Sequence, residues 1–405
     1  MFEKALVVRA GHEEIDIGLV AETTFFYGTT QLLLNRGSVC ALVSQIPEHQ
    51  LIGLFDRNAI QLSYLREAFS VHTSGIPQVH DLGAVQLYST GVGEKKLNYR
   101  DEIELALERE RGKSAGTRRL ARMIGDRVKL HRLRFEEPNE SIPDLARRDL
   151  RDATFVKQAI VAVLNRLVPS YKLPQFHFRL LNVEAGGYVV DTNLDFDAIN
   201  RVYHRNIPVS HSSISPAYLL VHILDARADL FFAAYYMAEL VTAQVYSDII
   251  GIKHFDFLMR RQQNVKEADQ FIELSLPDFP TIREAINSGE RTFAEFLVLL
   301  DKAEKFKKWI QKTNPDAGLV QEYHKAVTAE TWADKLPSKG VRFAVATGIG
   351  LAAELIAPSG IALASGIGAG AFDTFILDRL LKGWRPNQFI EGPYKKFVQG
   401  DAKRR

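Results

Sequence analysis

Three side chains with helical spacing are the best candidates for metal chemistry in this 405-residue sequence. His222, Asp225 and Asp229 occupy positions i, i+3 and i+7, which places them on one face of a helix. Imidazole and carboxylate groups are ligands of divalent ions. The sequence favours the alternative, a polar stripe in which Arg227 and neighbouring helices supply the partners.

A basic run between positions 109 and 134 offers a second kind of chemistry, the binding of phosphate groups. Ten Arg and Lys residues are opposed there only by Glu110 and Asp126. Such a run can contact a nucleic-acid backbone or an anionic membrane. Alternatively, it is a solvated helix that pairs with the acidic residues 101–110. The predicted polyanion-binding residues are Arg118, Arg119, Arg122, Arg127 and Lys129.

Two features of this run limit the prediction. Read as one helix, its basic residues spread around the axis and do not form a single stripe. Aromatic residues are almost absent from the run, so a base-stacking platform is not expected. The formal net charge of the chain is only +2, so any polyanion binding must be local.

The common catalytic signatures are missing. The sequence contains no GxxxxGK[ST], HExxH or GxSxG motif, and GIGAGA occurs inside an apolar run, which is the wrong context for a dinucleotide site. Cys40 is the only cysteine, which excludes an intramolecular disulfide and a cysteine-built zinc site. We therefore predict no cofactor, no small-molecule substrate and, on balance, no enzymatic activity.

Hydrophobic patterning predicts an α+β fold, in which a mixed N-terminal part precedes a mainly helical C-terminal part. Local signals support this prediction, since Asp152 is positioned to cap a helix and Thr281 forms a capping-box pattern with Glu284. No βαβ repeat is apparent. The predicted segments are an α+β domain (1–95), a charged basic helical segment with a linker (96–150), a helix with a β-hairpin that completes the N-terminal sheet (151–212), a helical domain (213–340), and a Gly-rich helical hairpin with a basic aromatic tail (341–405).

The Gly-rich hairpin has small residues at four-residue intervals, which allow two helices to pack closely. The predicted packing residues are Gly348, Gly366 and Gly370. The first arm, of about 25 Å, is shorter than a bilayer core of about 30 Å. A buried hairpin is therefore favoured over an element that enters a membrane or joins an oligomer.

The tail that follows mixes aromatic and basic residues. Trp384, Arg385, Lys395 and Lys396 are candidates for a membrane interface. The same composition suits a tail that docks on its own domain, which Pro386 and Pro393 favour.

These observations predict a non-catalytic cytoplasmic interaction or effector protein, with peripheral contact at the inner membrane face as an extension. The N-terminal part would recognise a protein partner, and the C-terminal part would self-associate or contact membrane. Bacterial stress and antiviral-defence effectors have this layout, which is a fold-level analogy. The alternative is a metal-dependent hydrolase that acts on a phosphate-containing or nucleic-acid substrate.

Overall fold

The structure is a computed structural model that describes residues 2–8, 15–76, 78–86, 98–133, 141–182, 187–276, 280–313, 318–328 and 386–399. The predicted α+β class is confirmed. The chain forms two compact units, each built from stretches that are distant in sequence. The α/β unit comprises Lys4–Ile15 and Thr29–Arg261, and the helical unit comprises Met1–Glu3, Asp16–Gly28 and Gln262–Arg405.

A five-stranded parallel sheet is the centre of the α/β unit. Its strands follow the order β6-β3-β2-β1-β9. Most of the residues in β2 are buried, as expected for a parallel strand covered on both faces. The strands are β1 (Lys4–Val8), β2 (Thr29–Leu34), β3 (Ile60–Leu65), β6 (Val128–His131) and β9 (Glu239–Val241).

A second, antiparallel sheet belongs to the same unit, with the strand order β4-β5-β8-β7. Val79 and His80 of β5 pair with Val189 and Tyr188 of β8, so the later hairpin extends the earlier one. The strands are β4 (Glu67–Ser74), β5 (Val79–Gln86), β7 (Phe178–Asn182) and β8 (Tyr188–Thr192).

The helices of the α/β unit enclose a continuous apolar core. The core joins Leu6, Leu33 and Leu65 of the parallel sheet to buried faces of α7 and α9. The helices are α2 (Arg36–Gln45), α3 (Glu48–Asp56), α4 (Tyr99–Arg111), α5 (Ala115–Gly125), α6 (Ile142–Leu150), α7 (Ala153–Leu167), α8 (Phe196–Tyr203), α9 (Pro216–Tyr235) and the part of α10 (Gln244–Ser275) up to Arg261. Helix α10 is interrupted by non-helical backbone at His254, and its residues from Gln262 belong to the helical unit.

The helical unit packs short helices around buried aromatic rings. Gly18 of its first helix donates its backbone N–H to Asn287 Oδ1 at 2.9 Å, and a Cβ at Gly18 would lie 2.4 Å from the Arg283 carbonyl oxygen. This close approach requires glycine. The described helices are α1 (Ile17–Phe26), α11 (Ile282–Asn287), α12 (Phe293–Lys302), α13 (Glu304–Lys312), α14 (Leu319–Thr328), α15 (Pro386–Phe389), a π-helical turn (Ile390–Tyr394) and α16 (Lys395–Gln399).

Lys307 of α13 lies largely buried beside α1. Its Nζ donates a hydrogen bond to the carbonyl oxygen of Thr24 at 2.5 Å, which satisfies an acceptor in the last turn of α1. Burial lowers the pKa of Lys307 from 10.5 to about 8. The folded protein therefore releases this proton at a lower pH than the unfolded chain.

This difference predicts a pH-dependent stability. Between about pH 8 and 10.5 the unfolded chain holds the Lys307 proton and the folded protein does not, so the free energy of unfolding should rise with pH. The expected slope is about 1.4 kcal/mol per pH unit within this window. Urea denaturation of the wild type and of Lys307→Met at several pH values isolates this contribution. A difference between the two proteins that stays constant across the window would contradict the prediction.

Candidate functional site

The basic run forms two helices and a strand, and it is not one continuous helix. Gly112, which follows α4, has a φ of +80°, in the left-handed region that favours glycine. Ser114 then caps α5 by accepting a hydrogen bond from the Thr117 backbone N–H at 3.0 Å. The break resets the helical phase, so the basic residues after Gly112 have to be placed on α5 alone.

The arginines of α5 share one face. Arg118, Arg119 and Arg122 are exposed and fall within an arc of about 100° around the helix axis. The opposite face buries Leu120 and Ile124. The expectation of dispersed charges is therefore wrong for α5, because it treated the run as a single helix.

Two of these three arginines have no acidic partner among the described residues. Arg119 pairs with Glu48 of α3, with an NH2–Oε1 distance of 2.7 Å. Arg118 and Arg122 form no ion pair within the described ranges. Exposed ion pairs contribute little free energy, so Arg119 can exchange Glu48 for a phosphate at small cost. The face therefore presents planar guanidinium groups suited to phosphate oxygens.

Basic groups continue into β6. The Arg127 guanidinium lies 5.4 Å from the centroid of the Phe55 ring. Lys129 Nζ donates to the hydroxyl of Tyr235 at 2.6 Å. This hydrogen bond raises the pKa of Lys129, so the ammonium group stays charged. Three of the five predicted polyanion-binding residues thus lie on α5, whereas Arg127 comes just before β6 and Lys129 lies within it.

A buried polar network supports this edge strand from beneath. The Tyr236 hydroxyl lies 2.5 Å from Ser63 Oγ and 2.5 Å from His131 Nε2. Gln31 Nε2 donates to Ser63 Oγ at 2.9 Å. Burial, with a smaller contribution from the Lys129 charge, lowers the pKa of His131 to about 4. The imidazole is therefore neutral near pH 7, and the network links β2, β3 and β6 to the end of α9.

A buried ion pair fixes α4 to the parallel sheet. Arg66, which follows β3, donates from Nε and NH2 to Glu102 Oε1 at 2.8 and 2.5 Å. Both side chains are buried. Glu102 Oε2 is buried and has no hydrogen-bond partner within the described part of the chain. This pair positions α4, the helix that precedes the arginine face.

The structure uses the candidate metal ligands for internal contacts. His222 Nδ1 donates to the carbonyl oxygen of Tyr218 at 2.9 Å, and Asp229 Oδ2 accepts from Thr242 Oγ1 at 2.7 Å. Asp225 lies on the same helix and is half-buried. In the described part of the chain, no group of three or more His, Cys, Asp or Glu side chains is placed to hold a metal ion.

Arg227, which the sequence offered as a partner for the polar stripe of His222, Asp225 and Asp229, forms its ion pair with Asp149. Its Nε and NH2 donate to the two carboxylate oxygens of Asp149 at 2.5 and 2.6 Å. Lys253 Nζ lies 3.0 Å from Asp152 Oδ2 and 3.4 Å from Asp149 Oδ1. These contacts tie α6 to α9 and to the start of α10.

The C-terminal candidates are only partly described. Gly348, Gly366, Gly370, Trp384 and Arg385 lie outside the described residues. Lys395 and Lys396 begin α16, in a segment whose apolar side chains are buried within the helical unit, among them Phe389, Ile390, Tyr394, Phe397 and Val398.

This segment carries polar contacts to the same unit as well. Arg291 NH2 donates to the carbonyl oxygen of Lys396 at 3.3 Å. Because Phe389 and Tyr394 are also buried, this segment packs against the helical unit, which is the arrangement expected of a tail that docks on its own domain. Among the described helices, none combines the length and the apolar character needed to cross a membrane.

Sequence reasoning missed one contact of the predicted basic residues. Tyr235 contacts Lys129 across a separation of 106 residues, and no pattern near either residue indicates the contact. Lys129 thus lies beside a partly exposed aromatic ring at the end of α9. Neither a known protein family, nor a curated protein, nor a solved structure matches this chain.

Proposed function

We propose that the protein acts by interaction and that its α/β unit binds a polyanionic partner through the exposed face of α5. The observation that carries this proposal is the pair of exposed arginines, Arg118 and Arg122, one helical turn apart and without acidic partners among the described residues. Arg119 lies on the same face and has only an exposed ion pair to give up.

Two further features support a local site. The formal net charge is only +2, so bulk charge is too small to attract polyanions strongly. The apolar side of α5, with Leu120 and Ile124, is buried, and this anchoring holds the arginines on a formed helix. Prearranged guanidinium groups lose less conformational entropy on binding than groups on a disordered tail.

We expect neutralisation of this face to weaken binding to heparin, a polyanion that contains no bases. Arg118→Gln/Arg119→Gln/Arg122→Gln should lose about tenfold or more in affinity at roughly 0.1 M salt, where charges are screened beyond about 10 Å. The slope of log affinity against log salt should fall by about 0.7–0.9 for each lost contact. Fluorescence anisotropy with labelled heparin at several KCl concentrations measures both quantities.

The matched control removes the same charge from another surface of the α/β unit. Arg166→Gln/Arg201→Gln/Arg205→Gln alters three exposed arginines on or near α7 and α8. This control should bind heparin nearly as well as the wild type. Equal losses in the two triple variants would mean that binding reflects net charge and would contradict an α5 site.

The sequence also predicts that the C-terminal part of the chain self-associates or contacts a membrane. Assembly or membrane contact through the Gly-rich hairpin rests on residues 341–372, which lie outside the described part of the chain. The α5 surface can be tested without it, because every residue changed above belongs to the α/β unit.

A further inference from the structure

Two lysines from separate strands of the parallel sheet converge on one tyrosine ring at the end of α9. Lys4 is the first residue of β1, and its Nζ lies 4.8 Å from the centroid of the Tyr236 ring. The Nζ of Lys129, in β6, lies 5.8 Å from the same centroid. Strands β2 and β3 lie between β1 and β6, which places these two strands about 14 Å apart. The two side chains therefore lean towards each other across the sheet.

The strand register places both lysines on one face of the sheet. Leu6 of β1 pairs with Gln31 of β2, and Ser63 of β3 pairs with Lys129 of β6. Gln31 Nε2 donates to Ser63 Oγ at 2.9 Å, so these two pairs share a face. Side chains two residues apart along a strand point to the same side, which adds Lys4 to this face. All of these residues belong to the α/β unit.

Both ammonium groups keep their charge available to a ligand. Within the described ranges, neither Lys4 nor Lys129 pairs with an acidic side chain, and Lys4 forms no hydrogen bond through its side chain. Lys129 uses one of its three N–H donors on the Tyr235 hydroxyl, at 2.6 Å. Lys129 is exposed and Lys4 is partly exposed, so solutes can reach both. A contact with an aromatic ring leaves the positive charge in place.

The carbonyl groups at the end of α9 do not account for the two lysines. Basic side chains near the end of a helix often bind its last carbonyl oxygens. Here the carbonyl oxygens of Ala233 and Ala234 accept backbone hydrogen bonds from Ala238 and Met237, both at 3.0 Å. The helix end is therefore closed by its own backbone, and the lysine charges are not needed to satisfy it.

The tyrosine between the lysines is held in place. Its hydroxyl lies 2.5 Å from Ser63 Oγ and 2.5 Å from His131 Nε2, and the ring is buried. The hydroxyl of Tyr235 holds the Lys129 ammonium beside this ring in the same way. A site whose charged groups are positioned before the ligand arrives loses less entropy on binding.

Two converging ammonium groups match a ligand with two adjacent negative charges. Lysine binds phosphate as a compact point charge with three donors. A diphosphate carries charge on two linked phosphoryl groups, so each group can meet one lysine. Gln61, two residues before Ser63 on the same face of β3, is exposed and adds an amide donor beside the lysines.

We propose that Lys4 and Lys129 form a binding site for a small ligand that contains a diphosphate group, on the face of the parallel sheet beside the end of α9. Tyr235 is a positioning residue, because it acts on the ligand through Lys129. The site involves none of the arginines of α5, so this inference goes beyond the proposed function and does not depend on it.

Isothermal titration calorimetry of the full-length protein with inorganic pyrophosphate tests the site. The titration is run without divalent cations and at about 0.05 M NaCl, where exposed charges are screened less than at physiological salt. Inorganic phosphate is the comparison, since it offers only one phosphoryl group. Pyrophosphate should bind about tenfold or more tightly than phosphate, the gain expected from a second hydrogen-bonded charge.

Variants of the two lysines locate the ligand. Lys4→Gln and Lys129→Gln should each weaken pyrophosphate binding about tenfold or more, and Lys4→Arg, which keeps the charge, should retain most of the affinity. The matched control is Lys157→Gln. Lys157 is another exposed lysine of the α/β unit whose Nζ lies over an aromatic ring, 5.5 Å from the Phe176 centroid, and its loss should leave the affinity unchanged.

A double-mutant cycle tests the role of Tyr235. Tyr235→Phe removes only the hydroxyl and should weaken pyrophosphate binding about two- to tenfold. The same change should have no effect in the Lys129→Gln background, because the hydroxyl acts through this lysine. An equal effect in both backgrounds would overturn the positioning role.

Several results would overturn the site itself. One is the absence of pyrophosphate binding by the wild type. Another is an equal loss in Lys157→Gln, which would show that binding reflects net charge. Lysine variants that lower stability in urea without changing the affinity would show that the two lysines only hold α9 to the sheet. Loss of binding in Arg118→Gln/Arg119→Gln/Arg122→Gln, with none in the lysine variants, would place the anion on α5.

Discussion

Replacing Arg66 by methionine should lower the free energy of unfolding by about 3–5 kcal/mol, the range for removal of one partner from a buried ion pair. Arg66 is 8% exposed and Glu102 is 3% exposed. Two guanidinium hydrogen bonds go to Glu102 Oε1, at 2.8 and 2.5 Å, while Oε2 receives no hydrogen bond from the described residues. The variant therefore leaves a whole carboxylate buried without its counter-charge. Urea denaturation, with amide hydrogen exchange of α4 and β3, measures the loss.

Two further variants identify the cause. Arg66→Met/Glu102→Leu removes both charges, so it should recover most of the stability lost in the single variant. Arg147→Met removes one side of the exposed ion pair with Asp144, and its cost should stay below about 1 kcal/mol. A loss below about 1 kcal/mol for Arg66→Met, or no recovery in the double variant, would show that desolvation of the unpaired carboxylate is not the dominant effect.

The pair also matters for the proposed site. Glu102 is on α4, and α4 leads through Gly112 to the arginine face of α5. Local unfolding of α4 would free α5 from the sheet and increase the entropy lost on binding. Arg66→Met should therefore weaken polyanion binding, although Arg66 is too buried to contact the ligand.

Local features of the fold could be predicted from sequence. Asp152 caps α7 by accepting from the Phe155 backbone N–H at 3.0 Å, as its position before an amphipathic run indicates. Thr281 and Glu284 form the reciprocal capping box, with bonds of 3.1 and 2.8 Å. Each contact spans three residues, so the residue types at neighbouring positions are sufficient to predict it.

The parallel sheet could not be predicted in the same way. Its strands pair across long separations, as with Ala5 and Glu239 in β1 and β9. Burial on both faces removes the alternation of polar and apolar residues that identifies a strand, and β2, with the sequence TTQLLL, has no such alternation. The sequence 16–34 therefore gives a mixed signal, although it contains one helix and one strand.

The candidate site likewise combines local features that the sequence predicts with long-range contacts that it does not. The arginines of α5 are adjacent in sequence, and their type alone indicates a basic surface. Their separation from the basic residues of α4 depends on the break at Gly112, where a φ of +80° ends that helix. Tyr235 contacts Lys129 only because α9 ends beside β6, a consequence of how helix and sheet pack in the α/β unit.

Replacing Phe306 by alanine should destabilise the helical unit by about 3–5 kcal/mol, as expected for removal of a buried phenyl ring. Phe306 is fully buried at the centre of an aromatic cluster. Its ring stacks on Phe25 at 5.6 Å and on Phe389 at 5.0 Å, and it lies 5.6 Å from Trp309. These neighbours come from α1, α13 and α15, so a cavity at this position weakens contacts among three helices together.

Tryptophan fluorescence reports on this unit during urea denaturation, since Trp309 lies on α13 with its ring beside Phe306. Phe306→Leu keeps most of the apolar volume and should cost clearly less than the alanine variant. Val298→Ala, at an exposed position on α12, should change stability by no more than about 0.5 kcal/mol. If Phe306→Ala lowers the free energy of unfolding by no more than Val298→Ala does, the stacked rings do not hold α1 and α15 to α13. The C-terminal tail must then be docked by its other contacts, such as the hydrogen bond from Arg291 to the Lys396 carbonyl oxygen.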